Sequence, residues 1–285
     1  MKNTNKNIAV LITCHNRKLK TLECLTALYN ATLPKNHTMN VFLVDDGCSD
    51  GTVLAINKRF PKVNIVKGTG HLYWNQGMRL AWQTAVNSKD YDYFLWLNND
   101  TNIKSGALIE VFDCCNLNLK NKIKEAIVVG ACMNSDSNKI FSYGLRKDKI
   151  KLVPNGLIQN GNMINGNFVL VSKSIFDKLG FLSDDFTHGM GDIDYGLRAI
   201  ESGFDVVTTR KFIGYCTFNE SLPLWCNPKI KFAKRLQAFH LPIGININEY
   251  KILLKRFWPN RYFTTLSKIY FRLLFPRIYN AIKNG

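Results

Sequence analysis

Two stretches of the chain bring carboxylates, amides and glycines together at spacings that could serve chemistry. In the first, Tyr91 to Thr101 (YDYFLWLNNDT), an apolar run ends in Asn98, Asn99 and Asp100. A carboxylate at the end of a buried strand suits a hard divalent cation, which prefers oxygen ligands and often shares its shell with substrate phosphates. The alternative interpretation is an Asn/Asp turn or helix cap, because these side chains readily bond the local backbone.

The second stretch is Asp184 to Arg198, DDFTHGMGDIDYGLR. Its glycines free the backbone just before Asp192, and an apolar stripe at helical spacing begins at Ile193. Asp192 and Asp194 therefore fall in the first turn of a predicted helix. Acidic residues favour that turn because of the helix dipole alone, and this structural explanation stays open, above all for Asp194.

The elements that would position these residues alternate between apolar strands and helices. Four strands are predicted at Ile8 to Thr13, Val41 to Val44, Val63 to Val66 and Phe94 to Leu97. The first three lead through polar or Gly-rich loops into helical periodicity, which predicts right-handed crossovers and a mostly parallel sheet. All four strand ends should then lie on one edge, where α/β sheets bind ligands.

The pattern continues less regularly beyond Thr101. It predicts, in order, a helix at Ser105 to Leu117, a strand at Ala126 to Cys132, a hairpin or insertion within 134–160, a strand at Val169 to Val171, a helix at Lys173 to Leu179 ended by Gly180, and a short last strand that starts with Val206 and Val207.

The charge of the chain is large and uneven. The 285 residues carry a net charge of +17, which predicts an anionic partner: a phosphorylated ligand, nucleic acid or an acidic membrane surface. Residues 219–285 hold twelve Lys/Arg against two acids, so this quarter of the chain accounts for +10 of the total. Aromatic residues interleave with these charges, as in basic amphipathic helices at a membrane surface. A helical cap with solvated charges is the alternative.

Neither the cysteines nor the termini indicate secretion. The eight cysteines show no CxxC and no regular spacing, which favours reduced, buried thiols over a disulfide framework or a zinc site. The start, MKNTNKN, lacks the apolar core of a signal peptide, and no apolar run reaches the roughly 18 to 20 residues that span a bilayer. We therefore expect a cytoplasmic protein.

Six stretches, in order, resemble the family 2 glycosyltransferases of the GT-A fold, close to bacterial rhamnosyltransferase-like enzymes. They are IAVLITCHNR, VDDGCSDGT, GTGHLYWNQGM, YDYFLWLNNDT, NGNFVLVSKSIFDKLGFL and THGMGDIDYGLRAIESGF. The resemblance covers residues 7 to 218 and implies a GT-A domain at 1–218, with a mostly parallel Rossmann-like sheet flanked by helices. Residues 219–285 would form a basic, aromatic-rich helical extension.

The resemblance also implies a set of site residues. Asp100 would bind Mg²⁺ or Mn²⁺, and Asp192 would be the catalytic base that deprotonates the acceptor. His188 and Asp194 would lie at the acceptor. The donor would contact Thr13, His15, Arg17, Asp45, Asp46, Gly70, Trp74, Asn98 and Asn99. Core packing is the alternative for Trp74.

Three positions depart from the family pattern. Amides stand at Asn98 and Asn99 where many relatives carry aspartates, which leaves one charged ligand for the cation. Gly191 replaces an acidic residue that commonly precedes the base. Cys216 follows the last strand where many relatives carry a histidine, and a thiol is a poor ligand for a hard ion.

The expected function is inverting, metal-dependent transfer of a sugar from a nucleotide-diphosphate sugar to a glycan or lipid-linked glycan, in bacterial surface polysaccharide synthesis. The enzyme would sit on the inner face of the membrane, bound to anionic lipid through residues 219–285, with no nucleic-acid partner and with a homo-oligomer left open. One alternative is another nucleotide-binding α/β enzyme, such as a nucleotide-sugar pyrophosphorylase, which predicts a Gly-rich phosphate loop with a basic residue directly after the first strand. The other is a basic nucleic-acid-binding protein.

Overall fold

The computed structural model describes residues 5–120, 124–134, 143–217 and 222–284. Its strands are β1 (Lys6–Cys14), β2 (His37–Asp45), β3 (Asn64–Lys67), β4 (Tyr93–Leu97), β5 (Thr101–Ile103), β6 (Ala126–Asn134), β7 (Arg146–Lys147), β8 (Ile150–Lys151), β9 (Gln159–Asn160), β10 (Phe168–Ser172) and β11 (Asp205–Cys216). Its α-helices are α1 (Lys18–Tyr29), α2 (Thr52–Arg59), α3 (Tyr73–Ser88), α4 (Ala107–Lys120), α5 (Lys173–Leu179), α6 (Gly191–Glu201), α7 (Phe232–His240), α8 (Ile247–Phe257), α9 (Tyr262–Leu274) and α10 (Pro276–Asn284).

One large sheet organises the first three quarters of the chain. Its order is β3-β2-β1-β4-β10-β6-β11-β5, with β9 paired to β11. Strands β1 to β4 are mutually parallel, and β6 and β11 run in the same direction, whereas β10, β5 and β9 run against their neighbours. The predicted mixed α/β architecture with a mostly parallel sheet is confirmed.

Helices cover both faces of this sheet, which is why its central strands are apolar throughout rather than alternating. On one face α1, α2 and α4 contribute buried residues such as Leu25, Ile56 and Val111. On the other face α3, α5 and α6 pack around Trp82 and Tyr195. The sheet is therefore the middle of three layers, and ligands can reach it only at its edges.

The ends of the parallel strands meet at one edge, as predicted. Cys14 at the end of β1 pairs with Asp45 at the end of β2, and Asp45 pairs in turn with Lys67 of β3. Strand β4 pairs with β1 on the other side and ends at Leu97, immediately before Asn98. This register gathers the polar residues that follow β1, β2, β3 and β4.

The second half of the sheet differs from the predicted pattern in two ways. Strand β10 is antiparallel to both neighbours, and β11 extends to twelve residues where a short strand was expected. The end of β11 is long because it pairs with β5, a strand that was not predicted, through Gly214 and Cys216. A side-chain methyl at Gly214 would lie 2.7 Å from the carbonyl oxygen of Asn102, so only glycine permits this pairing.

The predicted hairpin within 134–160 is present in part. Strands β7 and β8 form an antiparallel pair at Arg146–Lys147 and Ile150–Lys151. The alternating residues from Lys139 to Ser142 lie outside the described residues, whereas Tyr143 forms a bridge to Cys132 on β6. Helix α5 ends at Gly180, which adopts a φ of +71°, as the predicted helix end requires.

The chain divides into two compact units. The first comprises 1–184 and 192–218, and the second comprises 185–191 and 219–285. The second unit has its own core, built around Trp225, Phe239 and Leu254, and the segment 185–191 is anchored in it. Thr187 donates to the Glu249 carboxylate (2.6 Å), and Arg256 donates to Asp185 (2.6 Å). Among the described helices, none is both long enough and apolar enough to cross a bilayer.

Candidate active site at the carboxyl edge of the sheet

The loop after β1 lies against the loop after β2. His15 is exposed, and its Nδ1 donates to the backbone carbonyl of Asp46 (2.5 Å). Thr13 lies on the α3 side, where a methyl at Gly77 would come within 2.3 Å of its hydroxyl oxygen. The absence of a side chain at Gly77 therefore allows α3 to approach the end of β1.

Asp46 holds the Gly-rich loop that follows β3. Its carboxylate is 3% exposed and accepts backbone N–H bonds from Gly70 (2.7 Å), Leu72 (2.9 Å) and Tyr73 (3.0 Å). Gly70 and Tyr73 both have positive φ values, +88° and +56°, a conformation that is costly for a tyrosine. Asp46, predicted to contact the donor, is thus placed as the residue that shapes the loop.

Gly70 itself faces open space, since nothing lies within 4 Å of where its side chain would be. Asp45 lies partly exposed at the end of β2, and its Oδ1 accepts the backbone N–H of Cys48 (2.8 Å). Of the two adjacent carboxylates, Asp45 is the one left accessible to a ligand.

Asp100 pairs with Arg17 across the ends of β4 and β1. Arg17 Nη1 lies 2.8 Å from Asp100 Oδ2, and the two side chains are 53% and 22% exposed. The Cys216 sulfur lies 3.9 Å from the other carboxylate oxygen, because the β5–β11 pairing brings it there. Burial raises the pKa of the Cys216 thiol to about 11, so the group beside Asp100 is a neutral thiol at neutral pH.

A chain of side-chain hydrogen bonds supports the strand ends around Asp100. Trp74 Nε1 donates to Asn98 Oδ1 (2.6 Å), and Asn98 Nδ2 donates to Asn167 Oδ1 (2.8 Å). Asn167 Nδ2 donates in turn to the Cys216 sulfur (3.1 Å). Asn99 is buried and donates to the Thr21 hydroxyl of α1 (3.0 Å). Asn98 and Asn99 therefore position the strand end, and Asp100 is its accessible carboxylate.

Gly166 connects Trp74 to Asp192. Its backbone N–H donates to Asp192 Oδ2 (2.9 Å), while Ile193 N–H donates to Oδ1 (2.9 Å). A methyl at Gly166 would lie 2.3 Å from the Trp74 ring, so the indole packs directly over this glycine. Burial raises the pKa of the Asp192 carboxyl, although these two N–H donors and the charge of Arg146 act against the rise.

The two residues predicted at the acceptor lie in different settings. Asp194 is fully buried and accepts from Arg198 Nε (2.8 Å), while Arg198 also donates to the carbonyls of Leu179 and Phe181. This pair ties α6 to the end of α5, a structural role that gives no support to acceptor binding by Asp194. His188 belongs to segment 185–191 of the second unit, and its role stays a prediction.

The supporting residues were not predicted as part of the site. Gly166 and Asn167 lie in a loop whose only sequence signal is the NGN before β10, and Thr21 lies within a helix. Their contacts reach 26 residues to Asp192 and 69 residues to Asn98. Such long-range pairs leave no periodic trace in a single sequence.

The residues around Asp100 fit a divalent cation that shares its shell with a diphosphate. Asp100 offers one partly exposed carboxylate, and Mg²⁺-type ions are commonly held by one or two carboxylates plus phosphate oxygens. Among the described residues, the one group with three potential protein ligands lies elsewhere, at Cys14, Asp45 and Cys48. A cation at Asp100 would therefore depend on oxygens from the substrate.

The three-layer fold and the polar edge of its parallel strands match the architecture of the GT-A glycosyltransferases. The chain belongs to glycosyl transferase family 2, whose family model matches residues 9–153. A search of curated protein sequences found no significant match.

Solved structures support the same fold. The mannosyltransferase PcManGT from Pyrobaculum calidifontis, solved with GDP-Man and Mn²⁺, aligns over 75% of this chain with a TM-score of 0.53 and 14% identity. The alignment spans 57% of that mannosyltransferase chain. S. aureus TarS 1-349, solved with UDP-GlcNAc, aligns over 91% of this chain and 73% of its own, with a TM-score of 0.56 and 12% identity. At these identities the similarity establishes the GT-A fold.

Proposed function

We propose that the protein is an inverting, metal-dependent glycosyltransferase that moves a sugar from a nucleotide-diphosphate sugar to a hydroxyl of a glycan or lipid-linked glycan. The observation that carries the proposal is the placement of Asp100 and Asp192 at the two ends of one connected set of hydrogen bonds and packing contacts. Asp192 is joined through Gly166 to Trp74, which is joined through Asn98 and Asn167 to Cys216 beside Asp100.

Asp192 is the proposed catalytic base. Both carboxylate oxygens are oriented by backbone N–H groups, and a carboxyl with a raised pKa accepts a proton more readily than an ordinary aspartate. The residue takes the proton from the acceptor hydroxyl, whose oxygen then attacks the anomeric carbon opposite the departing diphosphate. Attack from that side inverts the configuration.

Asp100 and Arg17 are the proposed partners of the donor diphosphate. A bound Mg²⁺ or Mn²⁺ would neutralise the charge of the leaving diphosphate. Arg17 is more than half exposed, so its guanidinium is free to turn from Asp100 toward phosphate oxygens when a cation takes the carboxylate. The donor nucleoside is assigned to the space bordered by Thr13, His15 and Asp45, and Trp74 to a wall of the sugar pocket.

A panel of nucleotide-diphosphate sugars tests which compound is the donor. The similar structures were solved with GDP-Man in one case and UDP-GlcNAc in another, so both nucleotides belong in the panel. Thermal unfolding is measured for each compound with and without Mn²⁺, because a ligand that binds the folded state raises the unfolding temperature. The stabilising donor is then assayed for transfer. For the acceptor, we propose a glycan or lipid-linked glycan of bacterial surface polysaccharide synthesis.

Replacing Asp100 by Ala should remove metal-dependent stabilisation by the donor and lower transfer at least 100-fold. The reason is that Asp100 is the one charged protein ligand proposed for the cation. The Mn²⁺ dependence of the donor-induced shift in unfolding temperature is the measurement. Asp113→Ala, on α4, is the control that should behave as wild type. Unchanged Mn²⁺ dependence in Asp100→Ala would place the cation elsewhere.

We propose further that α9 and α10 bind an anionic membrane surface. Phe263 on α9 is 79% exposed and Ile282 on α10 is 71% exposed. Phe275, between the two helices, and Ile278 on α10 are also exposed. Residues 219–285 carry the +10 charge balance, so apolar anchors and positive charge occur on the same segment. This combination favours the acidic headgroup boundary over a neutral surface.

Vesicles that contain phosphatidylglycerol should retain the protein, and added salt should weaken the binding because surface charges are screened. The double substitution Phe263→Ser with Ile282→Ser should reduce retention at least tenfold. Leu54→Ser is the matched control, since Leu54 is equally exposed on α2 of the first unit. Co-sedimentation measures all three proteins. Equal retention of both variants would remove the membrane assignment.

A further inference from the structure

Two cysteines meet at the ends of β1 and β2. Cys14 is buried at the last position of β1, and Cys48 lies partly exposed in the loop that follows β2. Their sulfur atoms are 3.7 Å apart. The parallel pairing of Cys14 with Asp45 places Cys14 close to Cys48, although the two cysteines are 34 positions apart in the sequence. For this reason the spacing of cysteines along the sequence gave no sign of a site.

The distance between the sulfurs matches tetrahedral zinc coordination. Zinc–sulfur bonds of about 2.3 Å at a tetrahedral angle place two thiolates roughly 3.8 Å apart. The cysteines would have to approach to about 2.0 Å to form a disulfide. The pair therefore has the separation of two ligands of one metal ion without movement of the backbone.

Asp45 can supply a third ligand beside the two sulfurs. A carboxylate oxygen of Asp45 and the two sulfurs lie within 4.8 Å of one another. Asp45 Oδ1 accepts the Cys48 backbone N–H, which orients the carboxylate beside the two sulfurs. The Cys48 sulfur accepts the Asn16 backbone N–H (3.3 Å), a bond that helps to fix the position of the sulfur. A Cys₂Asp set is soft enough to prefer Zn²⁺ over Mg²⁺ or Mn²⁺.

We propose that Cys14, Cys48 and Asp45 bind one Zn²⁺ ion, and that this ion competes with the nucleotide donor. On binding, two S–H bonds break, two zinc–sulfur bonds form, and both protons pass to the solvent without any change of oxidation state. Water takes the fourth position. The site is separate from Asp100, where oxygen ligands suit a harder cation. Competition with the donor rests on the function proposed above, in which Asp45 borders the nucleoside, whereas zinc binding itself does not.

Cobalt serves as the spectroscopic probe of the site, because Co²⁺ adopts the same ligands as zinc and shows sulfur-to-metal charge-transfer absorption. The reduced full-length protein is titrated with Co²⁺ and then with Zn²⁺. We expect one cobalt per chain with a charge-transfer band, which one equivalent of zinc abolishes. Cys48→Ser should weaken cobalt binding at least tenfold and remove most of the band. Cys226→Ser, in the second unit, should match wild type.

The outcomes separate the site from its alternatives. A band of full intensity in Cys48→Ser, or equal loss in Cys226→Ser, overturns the proposal. If Cys48→Ser unfolds, Asp45→Asn replaces it, and there the affinity should fall at least threefold while the sulfur band persists. Unchanged cobalt affinity in Asp45→Asn, with the sulfur band retained, would remove Asp45 from the site.

The competition is measured with the sugar nucleotide that stabilises the protein best in the presence of Mg²⁺. One equivalent of zinc should weaken donor binding at least fivefold in wild type and have no effect in Cys48→Ser. Equal donor affinity with and without zinc in wild type overturns the competition. A protein that binds cobalt as expected but no sugar nucleotide, even without zinc, contradicts the proposed function and leaves the zinc site established.

Discussion

Asp192→Asn should lower sugar transfer by about 10²–10⁴-fold, the usual contribution of a positioned general base. Asparagine keeps the size of the side chain but cannot accept the proton of the acceptor hydroxyl. Donor affinity should stay close to wild type, because Asp192 acts on the acceptor. The expected signature is a fall in kcat with little change in the donor KM. Asp184→Asn is the control, since that carboxylate is 78% exposed and only loosely paired with Arg79.

The pH dependence gives an independent test of the same residue. The base must be ionised, so the rate should fall as the pH drops through the pKa of Asp192. Because burial raises that pKa, the acidic limb should lie above the ordinary aspartate value of about 3.9. Asp184→Asn should keep this limb, and the residual activity of Asp192→Asn should lose it.

The stability of the protein should respond with a defined sign. A raised pKa in the folded state means that the protonated form favours folding, and this contribution is lost as the pH rises through that pKa. The free energy of unfolding of wild type relative to Asp192→Asn should therefore decrease from about pH 4 upward.

Full transfer activity in Asp192→Asn, with an unchanged acidic limb of the pH–rate profile, would exclude Asp192 as the base.

Much of the architecture around Asp192 and Asp100 could be read from local patterns. Apolar runs such as Ile8 to Thr13 have no alternation, and a strand of that kind must be covered on both faces. Strand–loop–helix units then force parallel pairing, which places the residues after β1, β2 and β4 at one edge. The sequence therefore predicted where the polar residues meet.

The functions of individual residues within that edge were harder to predict. Asp45 and Asp46 are adjacent and chemically identical, yet one is accessible and the other accepts three buried backbone bonds. The difference arises because Asp45 is the last residue of β2 and Asp46 lies just beyond it, where its side chain reaches the loop after β3. The antiparallel direction of β10 likewise depends on a long connection whose course has no local signal.

Asp46→Ala should lower the free energy of unfolding by about 3–5 kcal/mol. The carboxylate accepts three backbone N–H bonds in a buried position, and hydrogen bonds to a charged group contribute roughly 1.5–3 kcal/mol each. The expected loss is smaller than the sum of the three bonds, because in the variant the loop opens and its N–H groups form hydrogen bonds with water instead. The unfolding temperature should drop by about 10 °C. Asp177→Ala, an exposed partner of Lys173, should change it by about 1 °C or less.

The same substitution should weaken donor binding indirectly. Tyr73 has a left-handed backbone conformation at the start of α3, and the bonds to Asp46 offset the strain of that conformation. Without them the loop relaxes, and Trp74, the next residue, loses its fixed position over Gly166. Asp46→Asn should give an intermediate loss of stability, because one amide oxygen still accepts. If Asp46→Ala instead weakened donor binding without lowering the unfolding temperature, Asp46 would contact the donor directly and the loop would need no anchor.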